Sequence, residues 1–338
     1  MSTILASHGP PRATLERGGT RRDRLADMHR IRTIDCHYMG QKDLAAAYLL
    51  IDGDEAAFVE NNTAHSVPLL LKALGEEGLS PEQVRYALVT HAHLDHAGGS
   101  SALLEACPNA TLVAHPRAAR HLIDPSRLVA SATSVYGEER FAQFYGTLKP
   151  IPAERVRTME DGDTLSFGAR TLSFTHTRGH ANHHLIIHDS GSDGVFTGDA
   201  FGLAYPALQG RGPFTIPTTS PTDYLADEAL SVVQQIVAMQ PSRVFLTHFG
   251  ERTEVEELGR QLIADLKVSK GIFEDAVESD LEGEALERRC GEALDRHLAS
   301  RIRAQGLELD AAFEVLALDR ELNAQGLAFA AMRKRQKG

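Results

Sequence analysis

From about residue 31 to residue 250, short apolar runs alternate with turn residues, and beyond that apolar positions recur at helical spacing. The runs predict strands over 31–37, 45–51 and 56–60, the last two joined at Asp52-Gly53-Asp54, a hairpin signal. A helix is expected over 66–74, with Ser66 as N-cap and Pro68 in its first turn. A strand over 86–89 and a helix over 100–106, stopped by Pro108, flank the polar stretch 90–99, and a further strand covers 111–114. Residues 116–150 break the alternation. Helical patterns over 117–122 and 126–148 read as an insertion between two strands, more readily as packing than as a lid.

Strands resume at 155–159, 164–167, 170–176, 183–188 and 194–197, with Asp161-Gly162 and Gly168 marking turns. The segment 201–219 is rich in Gly and Pro and reads as a long loop, a type often functional beside a site. Ser220-Pro221 opens a helix to about 239, and 243–247 is a buried-looking strand. From 251 to 338 the pattern is helical: Thr253 and Glu256 form a capping box, followed by Leu258, Leu262, Leu266, Phe273 and later Leu286, Cys290, Leu294 and Leu298. Residues 1–30 are polar and Arg-rich and read as a tail. The expected organisation is therefore tail 1–30, body 31–250 with insertion 116–150, and helical C-terminal region 251–338.

Composition narrows the function. The 338 residues leave room for about two domains. With 42% hydrophobic and 24% charged residues the chain is of ordinary globular type. A net charge of -11 and the lack of a basic patch argue against a nucleic-acid partner. The three cysteines, Cys36, Cys107 and Cys290, are scattered and point to a reducing compartment. No run approaches the roughly 20 apolar residues of a membrane span, and the start lacks a signal-peptide core. The expectation is a cytoplasmic protein with a small-molecule substrate, no membrane or nucleic-acid partner, and homodimerisation through its helical parts as the assembly to consider.

The chemistry is concentrated in Thr90-His91-Ala92-His93-Leu94-Asp95-His96-Ala97-Gly98-Gly99, at a strand-to-helix turn. Neutral imidazole suits zinc, iron, nickel or copper, and carboxylate adds a hard ligand. Later strands each end on a further donor: His180 after 170–176, Asp199 after 194–197 and His248 after 243–247. Together, His91, His93, Asp95, His96, His180, Asp199 and His248 exceed one tetrahedral site and suit two ions sharing Asp199. His184 reads as supporting rather than ligating. His183 and His115 read as structural residues that can line a pocket, and His65, His176, His188 and His297 as plain structural ones. Asp161 and Asp163 belong to a turn.

The run from His91 to His96, with His180, Asp199 and His248, resembles the metallo-β-lactamase superfamily over roughly residues 31–250. Ala114-His115-Pro116, His180-Ala181-Asn182-His183-His184 and Thr197-Gly198-Asp199 make it similar to the glyoxalase II-like metallo-hydrolase branch. The resemblance implies a four-layer αββα sandwich of the α+β class, with a dinuclear site at one edge. It implies His91, His93 and His180 on one metal, Asp95, His96 and His248 on the other, and Asp199 bridging. The cations would be zinc, with iron or manganese as alternatives, and Asp95 would also act catalytically by relaying a proton. The implied activity is hydrolysis of a small acyl ester, thioester or lactone by metal-activated hydroxide. Iron-dependent redox chemistry on the same fold is the alternative, as a persulfide dioxygenase or a di-iron oxygen reducer. The latter usually carries Glu where this chain has His93. A third reading is a binding protein that has kept the fold without the activity. Two departures stand out. The family's Asp-x-Gly near its early strand is replaced by Glu60-Asn61-Asn62-Thr63, and the glutathione-binding pattern of glyoxalase II has no match in 251–338.

Overall fold

The computed structural model describes residues 29–219 and 223–337. Two six-stranded sheets form its centre. The first contains β1 (His29–Asp35), β2 (Ala46–Asp52), β3 (Glu55–Val59), β4 (Val84–Leu88), β5 (Thr111–Ala114) and β6 (Val156–Thr158), paired in chain order. β1, β2 and β3 are antiparallel neighbours, whereas β4, β5 and β6 add in parallel. Parallel neighbours require crossovers. All three carry helices: first α1 (Val67–Glu76), then α2 (Leu94–Ala97) with α3 (Ser100–Ala106), and last the insertion described below. The second sheet contains β7 (Thr164–Phe167), β8 (Arg170–Thr177), β9 (His184–Asp189), β10 (Gly194–Gly198), β11 (Arg243–Leu246) and β12 (Gly250–Arg252). Its pairings are antiparallel except β10 with β11, whose connection carries α7 (Ala226–Ala238).

The residue alternation on β2 shows how the layers form. Ala46, Tyr48 and Leu50 face the second sheet, among Phe167, Phe174, Phe196 and Phe245. Ala47, Leu49 and Ile51 face the other way, towards Leu70, Leu74, Leu103 and Leu122 on helices. A strand buried on both faces must be a continuous apolar run, as this one is. On the far side, α7 and α8 (Val255–Glu278) cover Ile186, Val195, Val244 and Leu246. The expected four-layer sandwich is thus present.

The insertion comprises α4 (Pro116–Ile123), α5 (Ser126–Tyr136) and α6 (Glu138–Tyr145). The single helix expected over 126–148 is divided at Gly137, whose φ of 78° lies in the left-handed region where glycine carries no Cβ penalty. Phe141 and Tyr145 pack on Leu94, so the insertion sits directly on the ligand turn.

Beyond β12, which the sequence pattern did not reveal, come α8, α9 (Gly283–Ala304), α10 (Leu309–Val315) and α11 (Ala317–Arg335). Two expected caps are not made. No side chain caps α8, and the Thr253 N–H instead donates to Glu254 Oε2. The Ser66 hydroxyl does not cap α1 either, because it donates to Cys36 O and Asn62 Oδ1, tying two loops together. For Ser66, tertiary partners outcompete the local backbone for a short polar side chain. The expected tail and the Ser220-Pro221 helix start lie outside the described residues, apart from β1. The three cysteines are free and buried. Among the described residues no helix is long and apolar enough to cross a membrane.

Candidate metal centre

All seven expected donors meet at one edge of the sandwich. His91 and His93 follow β4, and Asp95 and His96 lie on the one-turn helix α2. His180 follows β8, Asp199 follows β10 and His248 follows β11. Strand ends fix the backbone while leaving the side chains free to converge.

The hydrogen bonds around the imidazoles select one tautomer. The Thr90 hydroxyl donates to Glu60 Oε1 at 2.5 Å, so at 3.1 Å its oxygen is left to accept the His91 Nδ1 proton. The Thr218 hydroxyl donates to Asp199 O at 3.1 Å, so it accepts from His180 Nδ1 at 3.2 Å. His96 Nδ1 donates to Glu60 Oε1 at 3.2 Å, and His248 Nδ1 donates to Leu44 O at 2.7 Å. In its neutral form each of these four rings therefore presents an Nε2 lone pair to the interior. His91 Nε2, His96 Nε2 and Asp199 Oδ1 are buried and have no hydrogen-bond partner. Burying such atoms unsatisfied costs about 1–3 kcal/mol each, a cost that coordination would remove.

The spacings agree. Around a tetrahedral ion with bonds of about 2.0–2.1 Å, neighbouring donors stand about 3.3 Å apart. Here His180 Nε2 lies 3.1 Å from His93 Nδ1 and 3.4 Å from Asp199 Oδ2. His96 Nε2 lies 3.2 Å from Asp199 Oδ1, and His248 Nε2 lies 3.4 Å from Asp95 Oδ2 and 3.7 Å from Asp199 Oδ1. Three groups are compact enough to hold an ion: His91–His93–His180, His91–His96–Asp199 and Asp95–His96–His248. The two Asp199 oxygens face different histidines, as a bridging carboxylate requires.

Electrostatics divides the cluster. Burial and the surrounding imidazoles push His91 well below its ordinary range. Burial also lowers His180, to about 4, against the pull of Asp199. For His96 and His248 burial acts in the same direction, but nearby carboxylates prevail. Asp199, Asp95 and Glu60 hold His96 well above its usual value, and Asp199 and Asp95 bring His248 to about 9. Burial favours the neutral acid at Asp95, yet His96 and His248 keep its carboxyl below the usual range.

The replacement for Asp-x-Gly proves to be a support. Glu60 is buried, and one of its oxygens accepts from Thr90, His96 and, at 3.4 Å, Thr247. Asn62 Nδ2 donates to Asp95 O, while the Asn61 and Asn62 N–H groups both donate to His96 O. The loop 60–63 is thus the template on which the ligand turn is built. A carboxylate ending an apolar strand beside a histidine cluster was the available sequence signal. Thr90, Thr218, Tyr205, Asp319 and Asn323 carried no such signal.

Other histidines stand apart. His184 donates or accepts at Thr177 Oγ1, 2.6 Å away, behind His91. His183 Nδ1 accepts from the Ala92 N–H. His115 caps α4 by accepting from the Arg117 N–H and packs against His176. His297 pairs with Asp265 far along α9.

A double-sheet sandwich with a His/Asp cluster at one edge defines a metal-binding fold. Residues 46–248 match the Metallo-beta-lactamase superfamily, and the chain belongs to it. Its members are mostly hydrolytic enzymes. The chain is 27% identical over 174 residues to the metallo-beta-lactamase fold-containing protein ST1585 of Sulfurisphaera tokodaii, covering 50% of this chain and 62% of that one. In the solved ST1585 structure the likeness extends to 88% of this chain and 97% of that one, with a TM-score of 0.61 at 20% identity. A hydroxyacylglutathione hydrolase of Gloeobacter violaceus is 31% identical over 110 residues, 32% of each chain. A rubredoxin-oxygen oxidoreductase of Megalodesulfovibrio gigas is 29% identical over 100 residues, 30% of this chain and 19% of that one. By sequence, the matches span less than two thirds of the length of each of these three relatives.

Proposed function

We propose that the protein is a dinuclear metal-dependent hydrolase of small acyl esters, thioesters or lactones. The observation that carries this reading is Asp199, whose two oxygens face His180 on one side and His96 and His248 on the other at ligand-like spacing. His91, His93 and His180 would hold one divalent cation and Asp95, His96 and His248 the second, with zinc the expected metal and iron or manganese the alternatives. When bound, such a pair supplies hydroxide at neutral pH and polarises a substrate carbonyl. Glu60, Thr90, Thr218 and Leu44 O fix the donor rings before any ligand arrives, so no reorganisation is needed. Asp95 is the more exposed of the two carboxylates, with 27% of its side chain open. Kept ionised by His96 and His248, it can accept a hydrogen bond from the attacking water and hand its proton outward. Leu94, with Phe141 and Tyr145 above it, supplies an apolar wall that excludes bulk water from one side.

The test is turnover of a lactoyl thioester, a homoserine lactone and an aryl ester by protein of measured metal content. Hydrolysis of one class should fall at least about a hundredfold in His91→Ala and in Asp199→Asn, a loss of about 2.7 kcal/mol of barrier lowering. Activity surviving both changes would sink the mechanism. The likeness to the rubredoxin-oxygen oxidoreductase favours one second reading, an iron-dependent redox enzyme. Oxygen uptake with glutathione persulfide by the iron-loaded protein, with no ester turnover, would select it.

A further inference from the structure

Of the candidate donors, His93 and Asp95 reach the surface, whereas His91, His96, His180, Asp199 and His248 are buried. A substrate must therefore approach over His93 and Asp95. The His248 flank is closed: Tyr205 is buried edge-on to that ring, with centroids 6.5 Å apart, and its hydroxyl donates to Asp319 Oδ1 at 3.3 Å. On the His93 flank the surface continues. The half-buried His183 ring stands at 90° to His93 with centroids 5.5 Å apart. Asn182, beside it in the chain, gathers two exposed arginines. Arg178 donates from Nε and Nη2 to Asn182 Oδ1 at 3.3 and 3.1 Å. Arg117 on α4 comes to 3.5 Å of Asn182 O, a long contact that leaves its guanidinium free to turn. Arg178 also lines a small cavity with His180, Asp199 and Thr218. Among the described residues neither arginine has a carboxylate within ion-pair distance. Asp223 accepts the Asn182 N–H at 3.3 Å, but its ion pair is with Arg333.

We propose that Arg117 and Arg178 form an oxyanion-docking site at the His93 lip of the metal centre. The substrate is then an ester or thioester that carries a carboxylate or phosphate on the part lying over His183. The inference rests on the hydrolase reading for the reaction, and on the two arginines for the charge of the substrate. In a chain of net charge -11, these two guanidinium groups are unmatched and gathered at one residue. Like charges held together repel, and an anion between them removes the repulsion. The planar guanidinium fork fits both carboxylate and phosphate oxygens. Asn182 holds Arg178 by its Nε–Nη2 edge, which leaves the Nη1 side for the anion. Arg117, more loosely tied, can swing towards it. Because α4 opens the insertion, the insertion contributes a binding residue as well as the packing on Leu94.

The test uses the full-length, zinc-loaded protein and thiols of one chain length that offer the metals the same sulfur: mercaptohexanol, mercaptohexanoate and mercaptohexyl phosphate. Calorimetric Kd values are measured at low salt for the wild type, for Arg117→Gln combined with Arg178→Gln, and for Arg303→Gln. The last removes an exposed positive charge on α9 and serves as the control. The wild type should bind at least one oxyanionic thiol about tenfold tighter than the alcohol, and the tighter of the two names the group. The double variant should bring all three within about threefold, while Arg303→Gln keeps the preference. Either single variant should lose part of it and carries the test if the double variant does not fold. Added salt should shrink the preference, since the arginines are exposed. An alcohol bound as well as both oxyanions, a preference that persists in the double variant, or no thiol binding at all would each overturn the assignment. Kinetics on matched neutral and carboxylated aryl esters separates the two readings. Selective thiol binding that the double variant loses, without ester turnover, removes the hydrolase and keeps the docking site. Equal kcat/KM on both esters, unchanged in the double variant, does the reverse.

Discussion

At the scale of single residues, the donor cluster depends on groups that are not themselves candidate donors. Glu60 takes hydrogen bonds from Thr90, His96 and Thr247 through one buried oxygen. Glu60→Ala would leave those donors unpaired and the His91 and His96 rings free to turn. Metal affinity should drop about 10–100-fold, measured by competition with a chromophoric chelator. Glu60→Gln keeps an acceptor and should recover much of the loss. An alanine variant that binds metal like the wild type would show that loop 60–63 only fills space. Asp319 gives a pH prediction. Its carboxyl is raised in the folded chain to about 6 from an ordinary value of 3.8, so folding disfavours its charged form. The penalty is absent below about 4 and complete above about 6. Asp319→Asn should therefore stabilise the metal-free protein at pH 8, by about 1 kcal/mol after screening by solvent. That gain should vanish as pH falls through 6 towards 4, as read by thermal melts across the range.

At the scale of elements, the C-terminal helices hold the 201–219 loop in place. Asn323 on α11 accepts from the Thr219 N–H and donates to Pro217 O, clamping both neighbours of Thr218. Thr218 in turn accepts from His180 and donates to Asp199 O. On α9, Arg301 pairs with Asp265 and donates to Thr215 O and Gln261 Oε1. The helical region thus reaches the donor cluster through the loop, although among the described residues it contributes none of the candidate donors. Asn323→Ala should loosen His180 with little global damage. Metal should dissociate several-fold faster while Tm falls by only a few degrees, the effect of about 1 kcal/mol. Unchanged dissociation would make the clamp purely structural. The insertion works differently, since α6 packs on Leu94, between His93 and Asp95 in the chain, through apolar contact.

For the whole molecule, the candidate donors come from both sheets. His91, His93, Asp95 and His96 belong to the first, and His180, Asp199 and His248 to the second. Ions shared between them would cross-link the two halves, and any ligand that binds only the folded state stabilises it by mass action. Exhaustive chelation should lower stability by about 4 kcal/mol if the cation was present at about a thousand times its Kd. Restoring zinc should reverse the loss, followed by calorimetric melting. A melting temperature indifferent to chelation would count against an ion bridging the sheets.

Much of this architecture was legible in the chain. The β2 run is apolar from Ala46 to Ile51 because it is buried on both faces, and such a run has no other stable place. His91, His93, Asp95 and His96 announced themselves by spacing alone, and His180, Asp199 and His248 each followed an apolar run that a strand had to end. What the sequence determined was local: which segments form strands or helices, and which side chains have donor chemistry suited to a metal. The division of the helix at Gly137, the engagement of Ser66 by Cys36 O and Asn62 and the edge strand β12 depended on packing. So did the roles of Glu60, Thr218, Tyr205, Asp319 and Asn323. A side chain's chemistry is written in its residue type, whereas its partner 30 or 100 positions away is chosen only when the sheets close and bring the two within hydrogen-bond reach.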